Sequence, residues 1–388
     1  MLANRIKQLL PSPTIALDTR AKLMQSEGIN VINLTAGEPN FSTPENICRA
    51  GKKAIDDGYT HYLPNAGIEK LRIAIVKKLK LDNGIEYTQN EIVVGVGTKQ
   101  ILYSAFQVLC EDGDEVIVPT PTWSTYIEQI KLAGGKPIIV NLSPPFKLRA
   151  TDLEKHLTKK TKIIVLNSPC NPTGAVIERN ELVKIVRLAI KNKIYIISDE
   201  IYEKIIYQKK HYSIASLSPE AKNYVITVNG FSKSHAMTGW RVGYAAGPKE
   251  IIQAMVTLAT QTTSGTSSIS QLAAVEALNG SQKSVLKMVR EFKKRRDFFY
   301  KNLKKIKDLK IVKPEGAFYL FLDIKKFLGS KYETATAWTE ALLANENVAV
   351  VPGEAFYAPG YIRISYATDL KTLTAGIKKI QKFINSNL

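Results

Sequence analysis

Asn229-Gly230-Phe231-Ser232-Lys233-Ser234-His235-Ala236-Met237-Thr238-Gly239-Trp240-Arg241 follows an apolar, β-branched run, Tyr224-Val225-Ile226-Thr227-Val228, and together they decide how the chain is read. The run predicts a strand, and Asn229-Gly230 is a turn signal that stops it. Lys233 is therefore delivered just past a strand end, where open α/β sheets place the groups that handle ligands. A lysine held there, partly desolvated and near another cation, loses proton affinity and becomes a nucleophilic amine. Arg241 supplies that cation and carries the planar fork that takes a phosphate with two hydrogen bonds. The competing reading, two solvated cations in a loop, leaves the Gly, Ser and Trp packed around them unexplained.

Two further strand ends join this one. Lys162-Ile163-Ile164-Val165-Leu166 reads as a buried strand running into the turn-rich Asn167-Ser168-Pro169-Cys170-Asn171-Pro172-Thr173-Gly174. Apolar Leu182, Ile185, Val186, Ala189 and Ile190 at helical spacing follow, and Ile194-Tyr195-Ile196-Ile197 then ends at Ser198-Asp199-Glu200-Ile201-Tyr202. Strand, helix, strand is a parallel crossover. Asn171, Asp199 and Lys233 thus lie beyond strand ends that share one sheet edge. An amine able to form a Schiff base, a phosphate clamp and a carboxylate that keeps a pyridine nitrogen protonated describe a site for pyridoxal 5'-phosphate (PLP). Asn171 and Tyr202 can donate to the phenolate oxygen of that ring. Taken singly, an Asp at a strand end is more often a cap or turn former; the ordered set Asn171, Asp199, Tyr202, Lys233 and Arg241 carries the reading.

The phosphate needs a second wall and the ring a stacking partner. Glu91-Ile92-Val93-Val94-Gly95-Val96-Gly97-Thr98-Lys99-Gln100 reads as a strand running into glycines, with Ile101, Leu102, Ala105, Phe106 and Leu109 marking a following helix. Glycines let the backbone approach an anion, and helix N-terminal amides point at it, so Gly97 and Thr98 are the expected contacts. A plain strand-to-helix turn has the same spelling. Trp123, in Pro119-Thr120-Pro121-Thr122-Trp123-Ser124-Thr125-Tyr126, follows the strand Glu115-Val116-Ile117-Val118 and suits either the face of the ring or the core.

The Lys233 segment closely resembles the Schiff-base segment of fold-type I PLP enzymes, specifically class I aminotransferases. The resemblance covers nearly the whole chain, including Leu34-Thr35-Ala36-Gly37-Glu38-Pro39-Asn40-Phe41-Ser42-Thr43-Pro44, Tyr62-Leu63-Pro64-Asn65-Ala66-Gly67 and Tyr361-Ile362-Arg363-Ile364-Ser365-Tyr366-Ala367-Thr368. It implies that Gly37 lies over the substrate, that Tyr62 reaches from one subunit to the phosphate of the other in a homodimer with shared active sites, that Trp123 lies on the ring, and that Arg363 binds the substrate α-carboxylate. Alternation supports the last role, since Ile362 and Ile364 face the core and turn Arg363 to the other side. Among class I enzymes the chain is most similar to the subgroup Ib aspartate aminotransferases, whose pattern puts a lysine at Lys99 and hydroxyls at Ser12 and Thr14 on the distal carboxylate. Those two hydroxyls, in a Pro-rich arm, would by themselves suggest only a turn. Gly230 departs from the pattern, standing where many members have a phosphate-binding serine, with Ser232 the hydroxyl beside the lysine. Cys170 stands where asparagine is frequent. His235 reads as structural or solvated in preference to a proton carrier.

The activity this implies is transfer of the amino group of L-aspartate to 2-oxoglutarate, in a ping-pong cycle with Lys233 as general base and acid. A prephenate or aromatic aminotransferase and a PLP lyase are alternatives on the same residues. A PLP-binding transcription regulator would need a DNA-binding module ahead of Leu34. No metal spacing is present. The expected fold is α/β, a PLP-dependent transferase of fold type I: a large domain over 45–285 with a doubly wound, mainly parallel sheet, and a smaller α+β domain built from 286–388 and the N-terminal arm 1–44. At 388 residues the chain suits two domains.

Three separated cysteines, Cys48, Cys110 and Cys170, suit a reducing cytoplasm. No apolar run approaches a membrane span. The net charge of +19 draws on Lys293-Lys294-Arg295-Arg296 and nearby lysines of a long amphipathic helix, where the cations are expected on the wet face. They lack the aromatic interleaving of a nucleic-acid surface.

Overall fold

The computed structural model describes residues 3–11 and 13–386. Among them the strands are β1 (Ile32–Asn33), β2 (Ile92–Val96), β3 (Glu115–Thr120), β4 (Lys136–Asn141), β5 (Thr161–Asn167), β6 (Tyr195–Asp199), β7 (Val225–Gly230), β8 (Val242–Ala246), β9 (Lys310–Ile311), β10 (Tyr319–Asp323), β11 (Val348–Ala349), β12 (Val351–Pro352) and β13 (Tyr361–Ser365). Seven form one sheet in the order β2-β8-β7-β6-β5-β3-β4. Pairing is parallel from β7 through β4, and β8 runs antiparallel to both its neighbours. The reason is the connection before it: the 231–241 loop holds no helix to carry the chain back along the sheet, so β8 returns in the opposite direction beside β7.

Alternate residues of these strands enter two different cores. Ile117, Ile164, Leu166, Ile196 and Val225 pack on one face, and Val116, Val118, Ile163, Val165, Ile197, Ile226 and Val228 on the other. Strands apolar on both faces must be covered on both. Helices Gly97–Leu109 and Lys249–Thr260 supply one side, and Arg179–Asn192 and Ser268–Asn279 the other. The doubly wound α/β architecture is thus present. The strand predicted to stop at Asn229-Gly230 in fact runs through both residues, and Lys233 still follows its end.

A second body of structure holds the antiparallel sheet β12-β13-β10-β9 and the parallel pair β1-β11. Its core joins Phe292, Phe299, Phe318, Trp338 and Phe383 with Ile201, Tyr202 and Ile205 from the segment after β6. Helix Lys283–Leu303 corrects one expectation. Lys293, Lys294 and Lys301 lie on the exposed face as predicted, but Arg295 and Arg296 are buried. Arg296 is 0% exposed, donates to the Pro314 carbonyl (3.0 Å) and to Asp297 Oδ1, and lies 4.4 Å from the centre of the Tyr207 ring. A weakly hydrated guanidinium with every face occupied can be buried where an ammonium cannot.

Candidate active site

The C-terminal ends of β5, β6 and β7, the N-terminus of helix Gly97–Leu109 and strand β13 surround a cavity of about 440 Å³. Gly37, Thr98, Lys99, Trp123, Asn171, Asp199, Tyr202, Ser232, Lys233, Arg241 and Arg363 all line it, and so does Thr14. Residues far apart in sequence converge because parallel strands deliver all their C-terminal loops to one edge.

The Lys233 amine donates to the Gly37 carbonyl at 2.6 Å. Burial lowers its pKa to about 8; the Glu38 and Asp199 carboxylates oppose that shift, and the Arg363 and Arg241 guanidiniums add to it. Asp199 is buried and accepts from the Tyr126 hydroxyl at 2.7 Å and from the Ile201 amide at 3.1 Å. Desolvation raises its carboxyl to about 6 in spite of these donors. A carboxylate so placed gains from a cationic partner.

Arg241, held at φ +56°, donates to the Thr238 carbonyl at 2.9 Å. Gly97 sits opposite in the left-handed region (φ +72°), and a Cβ there would run into the Arg241 guanidinium. The first amides of the helix that Gly97 opens have no partner inside it. A guanidinium, free amides and a side-chain-free backbone fit a phosphate. Gly230 has little space for the serine of the family pattern: its Cβ would press on Val242 O, Gly243 Cα and Thr98 Cγ2 at 3.0–3.2 Å. Ser232 is the buried hydroxyl of this loop that reaches the cavity.

Arg363 is 2% exposed, so the alternative of a solvated strand arginine does not hold. It donates to Asn171 Oδ1 (3.1 Å) and the Thr35 carbonyl (2.6 Å), and its guanidinium lies 4.4 Å from the centre of the Tyr319 ring. Its Nε has no partner. A buried guanidinium bonded to neutral oxygens, with one N–H unspent, is short of an anion. Since Asn171 gives its carbonyl oxygen to Arg363, its NH₂ is the donor that remains. The Tyr202 hydroxyl shares a hydrogen bond with Tyr319 (2.8 Å). Trp123 is half-buried, packs edge-on to Tyr126 at 5.5 Å, and has the Lys99 ammonium 5.0 Å from its ring centre, so it serves cavity and core together. Burial and the nearby Arg241 lower the pKa of Lys99.

Of the other expected residues, one stands apart from the cavity, one lines it from an unexpected element, and one is not described. Tyr62 is 93% exposed and away from the cavity of its own chain. Thr14 lies in helix Pro13–Ser26, where a turn was the residue-level expectation. Ser12 lies outside the described residues. His235 is buried against Ser234 Oγ (2.8 Å) with its pKa pushed down to about 4 by desolvation, which leaves it neutral at pH 7 and structural.

Sequence reasoning missed Tyr126, Asn167 and Tyr319. Asn167 donates to the Asp199 carbonyl (3.0 Å) and accepts from the Asn171 amide (2.8 Å), bracing two site residues against each other. Its place at the end of β5 was the available signal. Tyr126 and Tyr319 lie in a helix and a strand whose apolar pattern hid them. Among the described residues Glu200, Glu203 and His211 form a carboxylate and imidazole cluster behind Asp199, but Lys78, Asn83, Ser198 and Ser213 engage its oxygens.

Known proteins resemble this chain over nearly its whole length. The family model for aminotransferase class I and II matches residues 29–380. An aspartate aminotransferase of Bacillus sp. (strain YM-2) is 48% identical over 388 residues, 99% of both chains. A probable aspartate/prephenate aminotransferase of Aquifex aeolicus is 45% identical over 98% of both. Among solved structures, the aspartate aminotransferase from Thermus thermophilus with maleate superposes with a TM-score of 0.95, at 39% identity and 99% coverage of each chain.

Proposed function

Since this chain belongs to the aminotransferase class I and II family, we propose that it moves the amino group of L-aspartate to 2-oxoglutarate, giving oxaloacetate and L-glutamate in a ping-pong cycle. The carrying observation is a pair of cations in one cavity. Arg363 is buried with an unspent N–H, and Lys99 stands at the mouth beside Trp123. Each suits one carboxylate of a dicarboxylic amino acid.

PLP supplies the electron sink that weakens the bond to the α-hydrogen. Lys233 would anchor the cofactor through its amine, then take the α-proton as base and give it up as acid on the cofactor side and not back to the α-carbon. An amine with a pKa of about 8 is neutral in a useful fraction near neutrality and can still hold a proton. Asp199, braced by Tyr126, keeps a proton on the ring nitrogen. Arg241, Gly97, Thr98 and Ser232 hold the phosphate. Asn171 and Tyr202 face the ring oxygen, and Trp123 covers the ring. Arg363 takes the α-carboxylate, Gly37 lies over the substrate, and Lys99 with Thr14 takes the distal carboxylate.

The working enzyme on this reading is a cytoplasmic homodimer. The exposed Tyr62 supports it, as a phenol that reaches the phosphate of a neighbouring subunit stands clear of its own cavity. We also divide the chain into a large body (45–285) and a small one (1–44 with 286–388). Arg363 and Lys99 fall on opposite sides of that division, so a dicarboxylate draws the two together. Prephenate is a second reading, favoured by the name of the Aquifex aeolicus relative.

Substrate preference tests the proposal. A charge-assisted contact to a carboxylate is worth about 1.5–3 kcal/mol, so Lys99→Ala is expected to lower kcat/KM for aspartate roughly ten- to a hundredfold and to change that for phenylalanine little. Equal losses for both would assign Lys99 to the phosphate or the fold and remove the dicarboxylate reading.

A further inference from the structure

A short strap, Gly37-Glu38-Pro39-Asn40-Phe41, is pinned at both ends. Arg295 of helix Lys283–Leu303 donates to Asn40 Oδ1 at 2.7 Å, and its guanidinium lies 5.0 Å from the centre of the Phe41 ring. At the other end the Lys233 amine donates to the Gly37 carbonyl at 2.6 Å, and Thr238 Oγ1 donates to Glu38 Oε2 at 2.7 Å. The Thr238 carbonyl in turn accepts from Arg241 at 2.9 Å. Glu38 is therefore fixed along the cavity that holds Lys233.

Besides Asp18, Lys22 and Lys99, the cavity around the Lys233 amine is lined by four charged groups that act on it most. Glu38 and Asp199 favour its protonated form, and Arg363 and Arg241 oppose it. On the aminotransferase reading, on which this inference rests, three of the four are matched by ligands: Asp199 by the ring nitrogen, Arg241 by the phosphate and Arg363 by the α-carboxylate. Glu38 is the one whose charge no ligand cancels. It is solvent-exposed, which weakens its field without removing it. The Thr238 hydroxyl keeps its carboxylate in place.

We propose that Glu38, oriented by Thr238, is a positioning residue that sets the charge state of the Lys233 amine while that amine transfers the α-proton. A fixed anion helps the amine accept the proton and raises the pH below which the amine is already protonated and cannot act as a base. Glu38→Gln keeps the shape and the hydrogen bond acceptor but removes the anion, so Lys233 should lose its proton more readily.

The test uses the full chain with PLP bound. The acid limb of the aspartate half-reaction, followed through the cofactor absorbance, should move to lower pH in Glu38→Gln by about half a unit to one unit, the size expected of one screened charge several ångströms away. The pH midpoint of the holoenzyme's visible absorbance without substrate should fall in the same direction, as should the pKa of Lys233 read by competitive acetylation of the cofactor-free chain with peptide-resolved mass spectrometry. Thr238→Val should show a smaller shift of the same sign, and Thr238→Ser should restore the wild-type midpoints. Unmoved midpoints in Glu38→Gln overturn the proposal, and a shift there with none in Thr238→Val overturns the part given to Thr238. If wild-type protein carries no cofactor on Lys233, the aminotransferase reading itself fails, an outcome distinct from either.

Discussion

Asp199 shows burial and charge pulling in opposite directions. Its carboxyl is raised to about 6, chiefly by desolvation. A group whose folded pKa lies above its unfolded value stabilises the fold fully only when protonated, below the unfolded pKa of about 4. That stabilisation is lost as the pH rises through 6. Cofactor-free Asp199→Asn, which carries no charge to bury, is therefore expected to be more stable than wild type at pH 7.5, by up to about 3 kcal/mol for a shift of about two units. The gap should close towards pH 4, and urea unfolding at the two pH values measures it. On the proposed reading the balance reverses with PLP bound, because the ring nitrogen would supply the missing cation. The same variant should slow the aspartate half-reaction at least about a hundredfold, roughly 2.7 kcal/mol of barrier. Near-normal rates would make Asp199 structural. Two residues away from the lysine, His235 was read as structural or solvated, and burial decides for structural.

At the scale of elements, the turn from β2 into helix Gly97–Leu109 carries a geometric constraint. Gly97 has a positive φ, which costs a residue with a Cβ about 1–2 kcal/mol, and its missing side chain is the space Arg241 occupies. Gly97→Ala should therefore fold yet push the guanidinium aside, weakening PLP retention at least about tenfold by equilibrium dialysis, while the far-ultraviolet dichroism stays unchanged. Unchanged retention would show that Arg241 is not placed by this turn. Helix Lys283–Leu303 carries a different lesson. Period and polarity put a basic face in water, and for the lysines that is what forms. The two arginines turn inward because Asn40, Glu291, Asp297 and the Pro314 carbonyl accept from them and aromatic rings cover them. Helical spacing cannot distinguish these cases, since it describes one helix, whereas Asn40, the Pro314 carbonyl and the rings of Phe41 and Tyr207 come from other segments.

Over the whole molecule, the arrangement most in need of explanation is an exposed Tyr62 beside Thr263, Ser264 and Thr266, on the surface away from Lys233. If that surface completes the site of a second copy, sedimentation should give twice the 43.1 kDa of one chain. Tyr62→Phe should then raise the dissociation constant of PLP about ten- to a hundredfold, the worth of one hydrogen bond to a charged group at about 1.5–3 kcal/mol. An active monomer, or cofactor affinity indifferent to this change, would rule the shared site out.

The sequence by itself determined the fold class and five strands of the large sheet, β2, β3, β5, β6 and β7. Runs apolar on both faces, broken by turn residues and separated by amphipathic helices, can bury their surface only as a doubly wound α/β fold, and that fold puts Asn171, Asp199 and Lys233 at one edge whatever the remaining chain does. The convergence of Lys233, Asp199 and Arg241 on one cavity was legible for this reason. Tertiary structure alone decided the interactions between segments: Tyr126 on Asp199, Asn167 between Asp199 and Asn171, Tyr319 beneath Arg363, and Thr238 on Glu38. It also decided that β8 runs antiparallel and that Arg295 and Arg296 are buried. Local periodicity reports which face of an element avoids water. It carries no information about which polar atom of a distant element will stand within 3 Å, and the pKa of Lys233, Asp199 and Lys99 depends on those atoms and on the depth at which they are buried.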